Sequence, residues 1–271
     1  MTTFQLVLRL AANLILLFGL LFSCLGANGT SGAVEPLRAP ESEYRQVWKL
    51  YFDATAALQG RDDPFGSIPT VRLQTGEIVE KWLTVQDQIK SEGPVLSRCL
   101  TSQPCSAAAR RFLEIVAEGR GHHGLARAGL INRAVNLSII PTSDMKQWGV
   151  PDRWSPPLET LSTGRGDCED YAIVKYAALL QAGVRQEDVK VVILNDLRAR
   201  ETHAVAVVRI DAKWIVLDNR WLALVQDAAI RRVSPNYVLD YSGIREFVPD
   251  AEAARVAALS RTHRPGHWNI P

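Results

Sequence analysis

The sequence has no excess of charge of either sign. Its 271 residues include 31 Lys and Arg against 29 Asp and Glu, which leaves a net charge of +2. A surface that gathers nucleic-acid phosphates needs a basic excess or a dense cationic stripe, and the sequence has neither. We therefore expect no nucleic acid among the partners of this protein. With 47% apolar and 22% charged residues, the composition is that of an ordinary globular chain rather than a disordered one.

Cysteine is scarce, with only four residues, Cys24, Cys99, Cys105 and Cys168. Cys99 and Cys105 stand six positions apart, and outside the reducing cytosol such a pair can close a disulfide. Zinc binding is the alternative, but the sequence has no second close pair of the kind that a structural zinc site uses. Cys168 is left without a partner. In an exported protein it is therefore either buried and inert or retained for its reactivity.

Long apolar runs are also lacking, except at the amino terminus. Residues 10–25 are apolar apart from Asn13 and a few small side chains, and Arg9 precedes them. The run is shorter than the about 20 residues of a bilayer-spanning helix. It is typical of a secretory signal, with small residues at 26–29 where cleavage would occur. An uncleaved anchor is the alternative, and residues 21–24 weakly resemble a lipoprotein box. Each of these predicts that the rest of the chain lies outside the cytoplasm.

The chain divides into four predicted segments. We expect a signal peptide or anchor over 1–29, a linker of small residues and Pro over 30–42, one domain over 43–249 and a tail over 250–271. Within the domain, helical patterns come first and strand-like runs follow. This order predicts an α+β fold with one core.

The domain contains both helical and strand periodicities. Apolar residues recur at helical spacing over 43–58, 77–90, 107–118 and 125–137. A further helix is predicted to begin at Asp167 or Cys168, and Gly183 stands where the residue after its end belongs. Runs rich in Val, Ile or Trp predict antiparallel strands over 189–194, 203–210 and 213–218.

Cys168 lies in the first turn of the predicted helix. The backbone N–H groups there have no intrahelical partner, and the helix dipole is positive at that end. Both effects favour a thiolate with a lowered pKa, and only the thiolate attacks carbonyl groups effectively. The same N–H groups can stabilise an oxyanion once it forms. The alternative is a buried, inert cysteine.

His203 and Asp218 supply the other two groups that a thiol nucleophile needs, a base and an acceptor that orients it. If a two-residue turn joins the last two predicted strands, Ile210 pairs with Lys213 and Asp218 lies diagonally across from His203 on the same face. Diagonal neighbours are about 7–8 Å apart at the backbone, within reach of a ring and a carboxylate. A turn one residue longer would place the two on opposite faces. His203 would then be an ordinary residue at the end of a strand.

Three short blocks resemble the bacterial transglutaminase-like cysteine proteinases. They are GDCEDYAI at 166–173, THAV at 202–205 and VLDN at 216–219. Their spacings suit that family, and the resemblance extends from about residue 130 to about residue 247. The first hundred residues carry little of it.

The resemblance implies a papain-like or transglutaminase-like fold. In such a fold a helical amino-terminal part packs on a small antiparallel sheet, and the nucleophile lies at a helix N-terminus. It implies Cys168 as the nucleophile, His203 as general base and acid, and Asp218 as the residue that orients His203. The activity implied is that of an endopeptidase.

The resemblance also implies a calcium ion beside the nucleophile. Asp167 and Glu169 match the ligand positions of the family, and Asp170 is a candidate for a further ligand. Three carboxylates in four residues repel one another unless a hard cation neutralises them, and Ca²⁺ takes 6–8 oxygen ligands. The alternative is that Asp167 caps the helix while the other two complement its dipole. No complete EF-hand pattern is present, so the remaining ligands would come from elsewhere.

By the same resemblance, we expect a periplasmic protease whose substrate is the amino-terminal region of a large secreted adhesin. An inner-membrane receptor for cyclic di-GMP would sequester it and so couple cleavage to biofilm release. Two alternatives stay open. A transglutaminase or amidase uses the same triad, since a triad does not report which acceptor enters second. A catalytically inactive interaction module would keep the fold and the calcium-binding loop without the activity.

Overall fold

A computed structural model describes residues 63–66, 68–101 and 105–248. In this part the helices are α1 Glu77–Thr101, α2 Ala107–Arg120, α3 Gly124–Ser138, α4 Asp144–Gln147, α5 Pro157–Thr163 and α6 Cys168–Gln181. The strands are β1 Thr70–Leu73, β2 Ile140–Pro141, β3 Arg165–Gly166, β4 Val189–Asp196, β5 Glu201–Ile210, β6 Lys213–Leu217, β7 Val225–Gln226, β8 Val233–Asp240 and β9 Gly243–Phe247. The predicted helix over 43–58, the signal segment, the linker and the tail lie outside the described residues.

The helices α1, α2 and α3 confirm three of the predicted helical patterns. α1 extends beyond its predicted end at residue 90, through Pro94 to Thr101. Pro94 removes one backbone donor, but Leu96 beyond it is buried in the core. At the start of α2, the Ser106 hydroxyl accepts a hydrogen bond from the backbone N–H of Ala109 at 3.1 Å, which satisfies one of the unpaired donors of the first turn.

Cys99 and Cys105 form a disulfide, with their Cα atoms 5.0 Å apart. The bond joins the last turn of α1 to the residues just before α2, and Cys168 is the free cysteine of the described residues. The pairing that the sequence allowed is therefore present.

Loss of this disulfide is expected to destabilise the protein modestly. The loop that it closes is short, with a sequence separation of 6, and the chain-entropy model then gives about 2 kcal/mol. We expect the double variant Cys99→Ser, Cys105→Ser to unfold at a lower urea midpoint with an intact active site. An intact mass of the unreduced protein that shows two free thiols at these positions would contradict the assignment.

Seven strands form one antiparallel sheet in the order β1-β9-β8-β4-β5-β6-β7. The hairpin of β5 and β6 has the predicted register, with Ile210 opposite Lys213. Its two turn residues, Asp211 and Ala212, have φ values of 49° and 61°, the positive φ values that a type I′ turn requires. The two-residue turn is therefore present although neither residue is Gly or Asn.

Alternate residues of the sheet enter two apolar clusters. In β5, Ala204, Ala206 and Val208 belong to the large cluster that includes the helices. Val205 and Val207 face a smaller cluster on the other side. This is the period of two that a sheet buried on both faces shows. The helix α6 packs on β4 and β5 and is buried along the whole stretch 170–179.

The sheet is larger than the sequence predicted. Strands β1, β7, β8 and β9 were not predicted, nor were helices α4 and α5. Pro235 interrupts the apolar pattern of β8, and β9 carries Arg245 and Glu246 among its five residues. These strands form because they pair with strands far away in the chain, as β1 does with β9. The α+β architecture itself is confirmed. Among the described helices, none combines the length and apolar character that a bilayer crossing requires.

A buried cluster of ion pairs connects Asp63, the first described residue, to the sheet. Lys190 on β4 contacts the Asp63 carboxylate at 2.5 Å. Arg245 lies 2.8 Å from Asp63 and 2.8 Å from Asp240. Two cations face two carboxylates, so the charges in this cluster are balanced, as burial requires.

Candidate active site

Cys168 is the first residue of α6, as the sequence predicted. A short parallel pair, β2 with β3, leads the chain into this position, and the Thr142 N–H donates to the Gly166 carbonyl at 2.9 Å. Asp167 occupies the N-cap position, but its side chain makes no capping hydrogen bond. The interpretation of Asp167 as a simple helix cap is therefore wrong.

His203 and Asp218 meet as the hairpin register predicted. His203 Nε2 lies 3.0 Å from Asp218 Oδ1, and the histidine is 3% exposed. The Arg220 backbone N–H donates to the same oxygen at 2.9 Å. Burial by itself raises the pKa of Asp218, but its bonds to His203 and Arg220 and the charges of His203 and Lys175 outweigh burial and hold that pKa below its usual value. The carboxylate is thus kept ionised beside the imidazole.

The backbone around Asp218 is held by side chains rather than by strand pairing, because the β5–β6 ladder ends at Leu217. Asn136 donates to the carbonyls of Asp218 and Trp221 at 2.9 and 3.0 Å. One helical turn earlier, Asn132 donates to the Trp221 carbonyl at 3.1 Å. These two amides of α3 fix the turn that carries Asp218.

The environment of the Cys168 thiol differs from the sequence-based expectation. Its pKa is raised rather than lowered, first by burial and then by the Glu169 carboxylate, to which Sγ donates at 3.0 Å, and by the charge of Asp167. A hydrogen bond with the Ala204 backbone acts in the opposite direction. Burial and the two flanking carboxylates thus act against the thiolate that a helix N-terminus favours. The Ala204 contact also brings the sulfur beside the residue that follows His203.

Three carboxyl groups converge next to Cys168. One oxygen from each of Asp144, Asp167 and Glu169 lies within 4.8 Å of the other two. The Oδ1 atoms of Asp144 and Asp167 are buried without a hydrogen-bond partner in the described part of the protein. Burial and then the charges of Glu169 and Asp144 raise the pKa of Asp167 to about 8. Clustered, unpaired carboxylate oxygens are the donor set of a hard divalent cation, and these residues fit one.

The family comparison decides the class of protein. The model of the family described as "bacterial transglutaminase-like cysteine proteinase" matches residues 100–230, a segment that holds the nucleophile candidate, the histidine and its carboxylate. Over these residues the chain is similar to this family, and the match supports the resemblance seen in the sequence. The protein is accordingly a cysteine protease.

Two solved structures illustrate what the chain is similar to. LapG of Legionella pneumophila is 19% identical, with 65% of this chain and 97% of that chain covered at a TM-score of 0.48. Its calcium-bound form is 19% identical, with 61% of this chain and 87% of that chain covered at a TM-score of 0.46. The comparison with curated proteins finds no match.

The group of converging carboxylates in the protease differs from the set of calcium ligands expected from the sequence. Asp144 belongs to the converging group and was missed, because no sequence spacing links it to Asp167, 23 residues later in the chain. Asp170, a candidate ligand from sequence, is not a member of that group. Its Oδ1 instead accepts a hydrogen bond from the Ser155 N–H at 2.8 Å. Burial, and then the charges of Asp167 and Asp144, raise the pKa of Asp170 to about 8.

Gly166 allows this carboxyl group to lie close to the backbone of the protease. A Cβ at Gly166 would stand 2.6 Å from Asp170 Oδ2, so Gly166→Ala forces Asp170 to move. We expect a loss of stability of about 1–3 kcal/mol together with reduced activity. Gly93→Ala is the matched control, because a Cβ there meets nothing within 4 Å and alanine favours a helix by about 1 kcal/mol. Equal urea midpoints for the two variants would contradict this explanation.

Proposed function

We propose that the protein is a calcium-dependent periplasmic endopeptidase that cleaves a large surface adhesin near its amino terminus and so regulates biofilm attachment. The proposal is carried by the buried contact of 3.0 Å between His203 and Asp218, beside the helix that begins with Cys168. Similarity to the cysteine protease family supports peptide-bond cleavage. The adhesin substrate and the periplasmic location follow from the sequence resemblance and the amino-terminal signal pattern.

In the proposed acylation step, Cys168 is the nucleophile. Because Nε2 of His203 is engaged with Asp218, Nδ1 is the nitrogen that accepts the thiol proton. The sulfur forms a bond to the peptide carbonyl carbon, and N–H groups at the start of α6 stabilise the oxyanion. His203 then gives its proton to the leaving amine as the C–N bond breaks, which leaves a thioester on Cys168.

In the proposed deacylation step, water is the acceptor. His203 removes a proton from water, and the hydroxide oxygen bonds to the thioester carbonyl carbon. The C–S bond breaks, the product leaves as a carboxylic acid, and the proton on His203 returns to the thiolate. Asp218 stays ionised throughout and stabilises the imidazolium in both steps.

We propose that Asp144, Asp167 and Glu169 hold the calcium ion. A bound ion supplies positive charge that offsets the three carboxylates. Asp167 and Glu169 are the two neighbours of Cys168 in the chain, so fixing their side chains also fixes the backbone that presents the thiol. Asp144 connects the same group to α4, outside the segment that carries Cys168.

We further propose regulation by sequestration, with an inner-membrane receptor for cyclic di-GMP as the partner. This proposal rests on the sequence resemblance. It is tested by co-purifying the protease with a full-length candidate receptor in detergent, with and without cyclic di-GMP. Equal capture in both conditions would count against it.

The function is tested by supplying both kinds of acyl acceptor. The purified protein is incubated with amino-terminal adhesin fragments and, in parallel, with a glutamine peptide and a labelled amine. We expect cleavage of a fragment on a gel and no amine incorporation. Incorporation of the amine without cleavage would instead identify a transglutaminase. Inactivity in both assays, with a thiol no more reactive than a free cysteine, would favour an interaction module.

A further inference from the structure

Lys175 is a fully buried lysine in the middle of α6, with 0% of its surface exposed. Its Nζ donates to the Leu217 carbonyl at 3.1 Å and lies 5.8 Å from the centre of the Tyr171 ring. No carboxylate in the described part of the protein lies within ion-pair distance of Nζ.

This arrangement is costly for the stability of the core. An ammonium group has three donors, and here one neutral carbonyl accepts from it. Burial lowers the pKa of Lys175 to about 7, while the charge of Asp218 acts in the opposite direction. An apolar side chain of similar length would fill the same space at a smaller desolvation cost. Stability alone therefore does not explain a lysine at this position.

The hydrogen bond of Lys175 joins two parts of the triad. α6 begins with Cys168, and Lys175 lies seven residues, or about two helical turns, further along the same helix. Leu217 is the last residue of β6, directly before Asp218. The next carbonyl, that of Asp218 itself, accepts from Asn136 at 2.9 Å. Two consecutive carbonyls at the end of the β5–β6 ladder thus accept from side chains, and one of these side chains comes from the nucleophile helix.

We propose that Lys175 is a positioning residue that binds the end of β6 to the nucleophile helix and thereby keeps Asp218 directed at His203. The inference rests on the proposed triad and goes beyond it, since it assigns a role to a residue that touches neither substrate nor thiol. On this proposal, burying Lys175 lowers the stability of the core but places the Asp218 carboxylate accurately. Accurate placement matters because small misplacements of catalytic groups reduce rates strongly.

The test uses iodoacetamide as the probe of Cys168, so that no substrate is needed. The alkylation rate at pH 7 is read by mass spectrometry on the peptide that contains Cys168, beside the melting temperature of each variant. We expect Lys175→Met to slow alkylation about tenfold without lowering the melting temperature. Asp218→Asn should slow it at least as much. Because Lys175 acts through Asp218, the double variant should be no slower than Asp218→Asn alone.

Lys190→Met is the matched control, since Lys190 is also buried but contacts Asp63 and Asp240 in the cluster of ion pairs. Its loss leaves two buried carboxylates facing one cation, Arg245, so the charges are no longer balanced. We therefore expect a lower melting temperature and an unchanged alkylation rate. The positioning role would be overturned if Lys175→Met is alkylated at the wild-type rate. It would also be overturned if the fold-reduction in rate of the double variant equals the product of the fold-reductions of the two single variants. If Lys175→Met and Lys175→Leu both fail to fold, the lysine is needed for the fold itself and the proposal is also overturned. A wild-type thiol that reacts like a free cysteine would instead overturn the proposed triad.

Discussion

Cys168→Ala should abolish cleavage of an adhesin fragment, with kcat/KM reduced by at least about 10⁴. The reason is chemical, because the covalent pathway needs a sulfur that can bond to the carbonyl carbon, and an alanine methyl group cannot replace it. The melting temperature should change little, since the substitution removes a single sulfur atom from a side chain that is only partly buried. Gel densitometry over a time course measures the loss, and thermal unfolding of the same preparation shows that the fold is intact.

Two further substitutions test whether His203 and Asp218 act together with Cys168 in catalysis. His203→Ala should lower kcat/KM nearly as far as Cys168→Ala. Asp218→Asn keeps the shape of the carboxylate and should cost less than removal of the nucleophile. Since the three groups act as one unit, the double variant Cys168→Ala, His203→Ala should be no less active than the single alanine variant at position 168. Cleavage by Cys168→Ala at the wild-type rate would contradict the mechanism.

Removal of calcium is expected to have the second largest effect. Treatment with EGTA should abolish cleavage and lower the melting temperature, and added Ca²⁺ should restore both. At a calcium concentration a hundredfold above the Kd, the ion stabilises the folded protein by about 2.7 kcal/mol. For a domain of this size, that corresponds to a shift of about 5–10 °C. Thermal unfolding with and without chelator measures it.

Asp144→Asn is the sharpest variant for this prediction, because the sequence alone does not point to Asp144. The amide keeps an oxygen that can accept from the Arg153 backbone N–H, which contacts the Asp144 carboxylate, but it removes one negative charge from the group. We expect a loss of the calcium-dependent shift in melting temperature, as for Asp167→Ala. Asp152→Asn is the matched control, since Asp152 pairs with Lys81 and is not a member of the converging group. An unchanged calcium shift in Asp144→Asn would remove this residue from the site.

The parts of the fold that the sequence predicted are those decided by neighbours in the chain. Helix α6 begins where a Gly-rich loop ends, and Gly183 follows its last turn with a φ of 89°, a conformation that glycine adopts readily. The contact of His203 with Asp218 follows from the period of two in a strand and a two-residue turn. The disulfide follows from two cysteines close in sequence.

The electrostatics of the nucleophile could not be predicted in the same way. A helix N-terminus favours a thiolate, yet the pKa of Cys168 is raised because the thiol is buried beside Glu169 and Asp167. Whether a carboxylate next in the chain turns toward the sulfur or away from it depends on side-chain orientation. The sequence does not contain that orientation.

The sequence alone determined which cysteine is the candidate nucleophile, the hairpin register that pairs an imidazole with a carboxylate, and the family resemblance. All three depend on residues at fixed short separations, where backbone geometry leaves few arrangements. Tertiary structure alone decided that Asp144 joins the acidic group, that Asp170 does not, and that Lys175 reaches the strand end beside Asp218. These contacts join elements far apart in the chain. They form because α3 and α6 pack against the large sheet and α4 packs against β3, which brings the side chains together.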